Sequence, residues 1–127
     1  MVKLAALLSV PTVLLNAPAT PTLTFFTPGK TAVCTYYTTT VPEYLICSGA
    51  RNLVTVTLPA TGRPWVRHKV RSVHGLPSPA FGPILAYGMT WRGGASFRCV
   101  SQRRGLTCRN VVGHGFVLGR VRGHSTF

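Results

Sequence analysis

Residues 97–110 read FRCVSQRRGLTCRN, two cysteines nine positions apart with Arg103, Arg104 and Gly105 between them. Such a segment could be a reactive thiol site, a metal site, or a stapled hairpin whose arginines are the working part. The chain holds Cys34, Cys47, Cys99 and Cys108, together with His68, His74, His114 and His124. Structural zinc sites gather cysteines about two to four positions apart, whereas the consecutive pairs here are spaced by 13 and 9. The histidines form no close-spaced ligand pair along the chain, so no metal and no cofactor is expected. A reactive thiol is disfavoured as well: there is no C-x-x-C, and a cysteine held in a disulfide is not a nucleophile.

Whether those cysteines pair depends on the compartment. Lys3 is followed by an apolar run from Leu4 to Leu15 and by Ala17-Pro18-Ala19, the charged start, hydrophobic stretch and small-residue cleavage site of a secretory signal. The run is too short to cross a bilayer core, which needs about 20 residues. The expectation is a signal peptide over 1–19 and a single secreted domain over 20–127, extracytoplasmic and associated with the cell envelope, with no transmembrane span after cleavage. On the oxidising side of a membrane four cysteines favour disulfides.

Three pairings are possible in principle, and hairpin arithmetic favours the local one, Cys34 with Cys47 and Cys99 with Cys108. A turn centred on Arg103 and Arg104, closed by Gln102 and Gly105, puts Cys99 opposite Cys108 at a non-hydrogen-bonded position, where the strands approach most closely. A three-residue turn with Gly105 left-handed would shift that register by one. The first hairpin centres on Thr40 and Val41, with Pro42 in its loop.

The two-residue register has a consequence for the arginines. Alternation puts Phe97, Cys99, Leu106 and Cys108 on one apolar face and Arg98 directly across from Arg109 on the other. Facing like charges cost on the order of several tenths of a kcal/mol; either the two side chains splay into water or a bound anion reverses the sign. Arg103 and Arg104 extend this positive ribbon at the tip. A second basic stripe, PWVRHKVRS, would show Arg67, Lys69 and Arg71 on one strand face. Trp65 beside it is expected in the core, with stacking on a sugar or base as the other reading.

Charge limits the function classes further. There are 14 Lys and Arg, eleven of them Arg, against a single acid, Glu43, for a net charge of +13. Two-carboxylate glycosidases, aspartic proteases and all-oxygen calcium or magnesium sites all need acids this chain lacks. Arginine's planar fork suits phosphate and carboxylate, although a GC-rich genome would also write arginine at any surface cation. Charge this one-sided repels itself in a small domain, which points to polyanionic surroundings.

The elements that must position these residues are strands. Proline and glycine recur from Pro21 to Gly123, leaving short segments rich in Val, Thr, Tyr and Phe: TAVCTYYTTT, EYLICSGA, NLVTVTL, WVRHKVRSV, ILAYGMTW, ASFRCVSQ, LTCRN and GFVLGR. GLPSPAFGP, residues 75–83, is the expected long loop. The fold class is all-β: a small, disulfide-stapled antiparallel sandwich or partly open barrel of hairpins.

The stretch ILAYGMTWRGGASFRCVSQRRGLTCRNVVGHGFVLGR resembles the C-terminal part of a family of small secreted actinobacterial domains of unknown function. The likeness rests on Leu85–Gly88, on Gly93–Cys108, on Gly113–Phe116 and on Arg120; FFTPGKTAVC is similar, more loosely, to that family's opening. The resemblance implies an exported β domain and brings no activity. Members often carry a further mid-chain cysteine, which is absent here.

Gly113-His114-Gly115 suggests either a tight turn or a close approach that β-carbons would forbid. His114, with Arg120 or Arg109, is a candidate anion contact. The favoured reading is an exported basic binding module whose candidate residues are Arg98, Arg109, Arg103, Arg104, His114 and Arg120. Its partner would be an anionic polymer or an anionic protein surface; nucleic acid is possible, though the chain carries no nucleic-acid motif. The alternatives are a small hydrolase using His114 and a cationic antimicrobial protein, the latter weakened by the lack of an amphipathic stretch after the signal.

Overall fold

The structure, a computed structural model, describes residues 23–39, 41–51, 53–68, 82–121 and 123–127. The expected signal peptide, Lys69, Arg71 and most of the 75–83 loop lie outside the described residues.

Among the described residues, ten strands form two antiparallel sheets of five. The N-terminal sheet runs in chain order, β1 (Thr24–Phe26), β2 (Ala32–Tyr37), β3 (Tyr44–Gly49), β4 (Val54–Pro59) and β5 (Trp65–His68). The C-terminal sheet is likewise a meander, β6 (Thr90–Gly93), β7 (Phe97–Gln102), β8 (Gly105–Asn110), β9 (Gly115–Gly119) and β10 (His124–Thr126). Apart from a single 3₁₀ turn at Pro28–Lys30, no helix occurs among the described residues, and none there is long and apolar enough to cross a membrane. The architecture is a sandwich. β1 and β10 lie outside the segments that the sequence marks as strands, and only the end of ILAYGMTW is strand. Its start instead forms a parallel bridge beside β1, Ile84 to Phe26, with Phe26 N–H donating to the Pro83 carbonyl at 2.9 Å.

Alternation builds one core from two inner faces. Phe25, Cys34, Tyr36, Leu45, Cys47, Val54, Val56 and Leu58 from the first sheet meet Trp91, Phe97, Cys99, Leu106, Cys108, Phe116 and Leu118 from the second. Rings bridge the layers: Trp91 lies 4.9 Å from Phe25 and 5.6 Å from Tyr36, centroid to centroid.

Both disulfides form with the local pairing, Cys34–Cys47 and Cys99–Cys108. Their Cα separations, 4.1 and 4.0 Å, belong to the narrow, non-hydrogen-bonded class of strand pair. Each bridge ties two adjacent strands within one sheet, and the two meet at the centre of the sandwich, where the sulfurs of Cys34, Cys47 and Cys108 lie within 4.8 Å of one another. With all four cysteines oxidised, this sulfur cluster is packing, since metals take the thiolate.

Two polar ties lock the layers. Glu43 Oε1 accepts from Tyr36 Oη at 2.9 Å and from Ser96 Oγ, in the β6–β7 turn, at 3.0 Å. Asn110, buried at the end of β8, donates from Nδ2 to the carbonyls of Pro59 and Gly62 at 2.9 and 2.8 Å. Its Oδ1 accepts from the N–H groups of Val112 and His114 at 3.1 and 3.0 Å. One side chain thus fills its hydrogen-bonding capacity while fastening a turn of one sheet to the other sheet.

Candidate functional site

The β7–β8 hairpin closes on Gln102 and Gly105, with Arg103 and Arg104 as its two-residue loop. Arg98 therefore faces Arg109, and the β6–β7 pairing places Arg92 opposite Arg98. The result is a row, Arg92–Arg98–Arg109, running across three strands on the outer face of the C-terminal sheet, all three side chains exposed. Backbone parity sets the spacing within it. Ser101 N–H bonds the Met89 carbonyl on the β6 side, so the odd-numbered residues of β7 turn their backbone groups towards β6. Arg92 and Arg98 then form the narrow kind of pair, and Arg98 with Arg109 the wide kind.

The row ends on an aromatic ring. Gly115, the first residue of β9, pairs with Arg109 of β8 and exchanges both backbone hydrogen bonds with Phe127, each at 2.9 Å. A β-carbon on Gly115 would meet the Cys108 carbonyl and would lie 2.8 Å from the Phe127 ring. Phe127 occupies the space the missing side chain leaves, and the Arg109 guanidinium sits 5.2 Å from its centroid, a cation–π contact. Gly113, at φ 93, makes the turn. The two glycines around His114 thus serve the two purposes open to them, one turning the chain and the other allowing a close approach.

Below the row, Arg98, Val100, Gln102, Thr107 and Arg109 line a depression of about 200 Å³. At the far end of the strands, about 13 Å from the row at a rise of about 3.3 Å per residue, lies a second cluster. Arg120 N–H donates to the Arg104 carbonyl at 3.0 Å, and the Arg103 guanidinium lies 5.3 Å from the Tyr87 ring centroid. The candidate residues therefore divide between two places: Arg98 and Arg109 in the row, with His114 at its near end, and Arg103, Arg104 and Arg120 around the hairpin tip. Arg92 and Phe127 were missed. The signal for Arg92 was present, because a turn centred on Ala95 in RGGASFR puts Arg92 opposite Arg98.

None of these cations is neutralised by an ion pair among the described residues. The only acid, Glu43, points between the sheets at Tyr36 and Ser96. Burial of Tyr36, followed by its hydrogen bond to Glu43 and the adjacent negative charge, pushes the phenol from 10.0 up to about 12. Arg92 and Arg98 have no hydrogen-bonding side-chain partner among the described residues.

Other expectations are corrected. Trp65 is not in the core: pairing of Val66 with buried Val56 turns Trp65 and Arg67 outward, and Trp65 is 49% exposed, edge-on to Tyr44 at 6.0 Å. Arg67 is the one described member of its stripe and lies on the opposite side of the sandwich from the arginine row. Two histidines far apart in sequence, His68 and His124, come together at the open edge of the sandwich with ring centroids 5.4 Å apart.

The two disulfides are consistent with an extracellular setting. No curated protein and no solved structure matches the chain. Residues 66–125, from within β5 to β10 and spanning the whole arginine row, match a family of unknown function, DUF6636.

Proposed function

We propose that this protein is an exported basic binding module that engages an anionic polymer of the cell envelope or surroundings through the outer face of its C-terminal sheet. The observation that carries the reading is the Arg92–Arg98–Arg109 row, three like charges held in register with no acid to balance them. A fold gains nothing from this arrangement and loses on the order of several tenths of a kcal/mol per facing pair. An anionic chain lying across the strands would reverse that sign, because guanidinium groups bind phosphate and carboxylate in bidentate fashion. The hairpin tip offers further cations along the strand direction, and the disulfide beneath holds the two central arginines in register.

The test is binding of the oxidised protein to polyphosphate, a poly(glycerol phosphate) and single-stranded nucleic acid across a salt series. Arg98→Ser/Arg109→Ser is compared with Arg51→Ser/Arg63→Ser, an exposed pair that removes the same charge elsewhere. The row variant should lose affinity well beyond the control, and its log–log salt slope should fall by about 0.7–0.9 per lost contact. Equal losses in the two double variants would reduce the row to part of a diffuse field. Absence of binding to every polymer would refute the proposal.

A further inference from the structure

The two edge strands on one side of the sandwich, β5 and β10, belong to different sheets. Their inward-facing positions can be read from the register. On β5 they are Val66 and His68, opposite buried Val56 and Val54. On β10 they are Thr126 and His124, opposite buried Phe116 and Leu118. Each edge strand therefore places a histidine at a position whose neighbours along the row are core residues. The two imidazoles meet there, 5.4 Å between centroids with planes at 66°, and both residues are exposed at the mouth of the sandwich. Hydrophobic contact alone would be better served by two aliphatic residues at this spot.

We propose that His68 and His124 form a two-imidazole site for a borderline divalent transition ion, Cu(II), Ni(II) or Zn(II), closing the open edge of the sandwich. An ion bound at about 2.0–2.1 Å from one nitrogen of each ring puts the ring centres roughly 5 Å apart, close to the 5.4 Å at which the two rings stand. Imidazole suits these ions, and the exposed mouth leaves the remaining positions to water or to an oxyanion. The thiols, consumed in disulfides, and the single carboxylate, engaged by Tyr36 and Ser96, offer no competing site. An ion held here ties the edge of one sheet to the edge of the other, so binding raises the stability of the folded state by mass action.

The experiment is isothermal titration of the oxidised full chain with Cu(II) and Zn(II), with electron paramagnetic resonance of the Cu(II) form to count nitrogen ligands. Variants are His68→Ala, His124→Ala and the control His114→Ala. The expected result is a site whose affinity falls about tenfold or more in either edge variant, with one nitrogen lost from the spectrum, and stays unchanged in the control. Affinity that survives both edge variants, or falls only with His114→Ala, overturns the proposal. Should an edge variant fail to fold, substoichiometric Cu(II) added to the isotope-labelled wild-type protein decides instead: amide broadening centred on 68 and 124 supports the site, and broadening centred elsewhere, or none, overturns it.

Discussion

Replacing Asn110 with alanine removes the tie that joins a turn of the C-terminal sheet to the N-terminal sheet. The side chain makes four hydrogen bonds, two donated across the layers to Pro59 and Gly62 and two accepted from Val112 and His114. At about 1 kcal/mol net for each bond the ceiling is about 4 kcal/mol. Val112 is exposed and its N–H can return to water, as can the carbonyl of half-buried Gly62, so the expected loss is about 2–3 kcal/mol. For a domain of this size that lowers the melting temperature by about 10–20 °C. Asn110→Asp separates the two halves of the tie, since it keeps the acceptor and removes both cross-layer donors. The carboxylate is also set against two carbonyl oxygens, and it should cost at least as much as alanine. Thermal and urea unfolding of the oxidised proteins measure all three. An alanine variant within about 0.5 kcal/mol of wild type, the range of an ordinary surface substitution, would refute the claim that this residue holds the layers together.

Two further outcomes follow from the same interior. Tyr36 keeps its proton up to about 12 in the fold, against 10.0 for the free phenol, so across that interval the folded state binds more protons than the unfolded chain and stability falls as pH rises; Tyr36→Phe should flatten this decline in urea unfolding measured at stepped pH, and an unchanged slope would contradict the assignment. Gly115→Ala would drive a β-carbon into the Cys108 carbonyl and the Phe127 ring; the expected result is a loss of roughly 1–3 kcal/mol, as for overpacking, together with displacement of Phe127 from Arg109, read as a change in the aromatic chemical shifts of Phe127.

Much of the C-terminal hairpin is legible in the sequence. A tip at Arg103–Arg104 and a period of two set Cys99 opposite Cys108 and Arg98 opposite Arg109, while Gly105 left a three-residue turn open; the pairing of Gln102 with Gly105 settles the register. The all-β class followed from glycine and proline punctuation around β-branched and aromatic runs. The short edges β1 and β10 span three residues each, too few for any periodicity to show, and they exist because a neighbouring strand offers them backbone partners. Trp65 was misplaced because its own segment cannot say which parity faces inward; the pairing of Val66 with Val56 decides that.

What the chain determined by itself is therefore local: strand alternation, turn chemistry, a preference for disulfides within each hairpin and a charge that a single acid hardly offsets. Tertiary structure alone brought Asn110 to Pro59, Ser96 to Glu43 and His68 to His124, pairs separated by 51, 53 and 56 positions. Each joins one sheet to the other, and the stacking of two sheets is set by how their inner faces fill a common core. Period and spacing within a strand carry no record of that contact. The arginine row sits between the two cases, its central pair written into one hairpin and its full length revealed only when β6 and Phe127 take their places beside it.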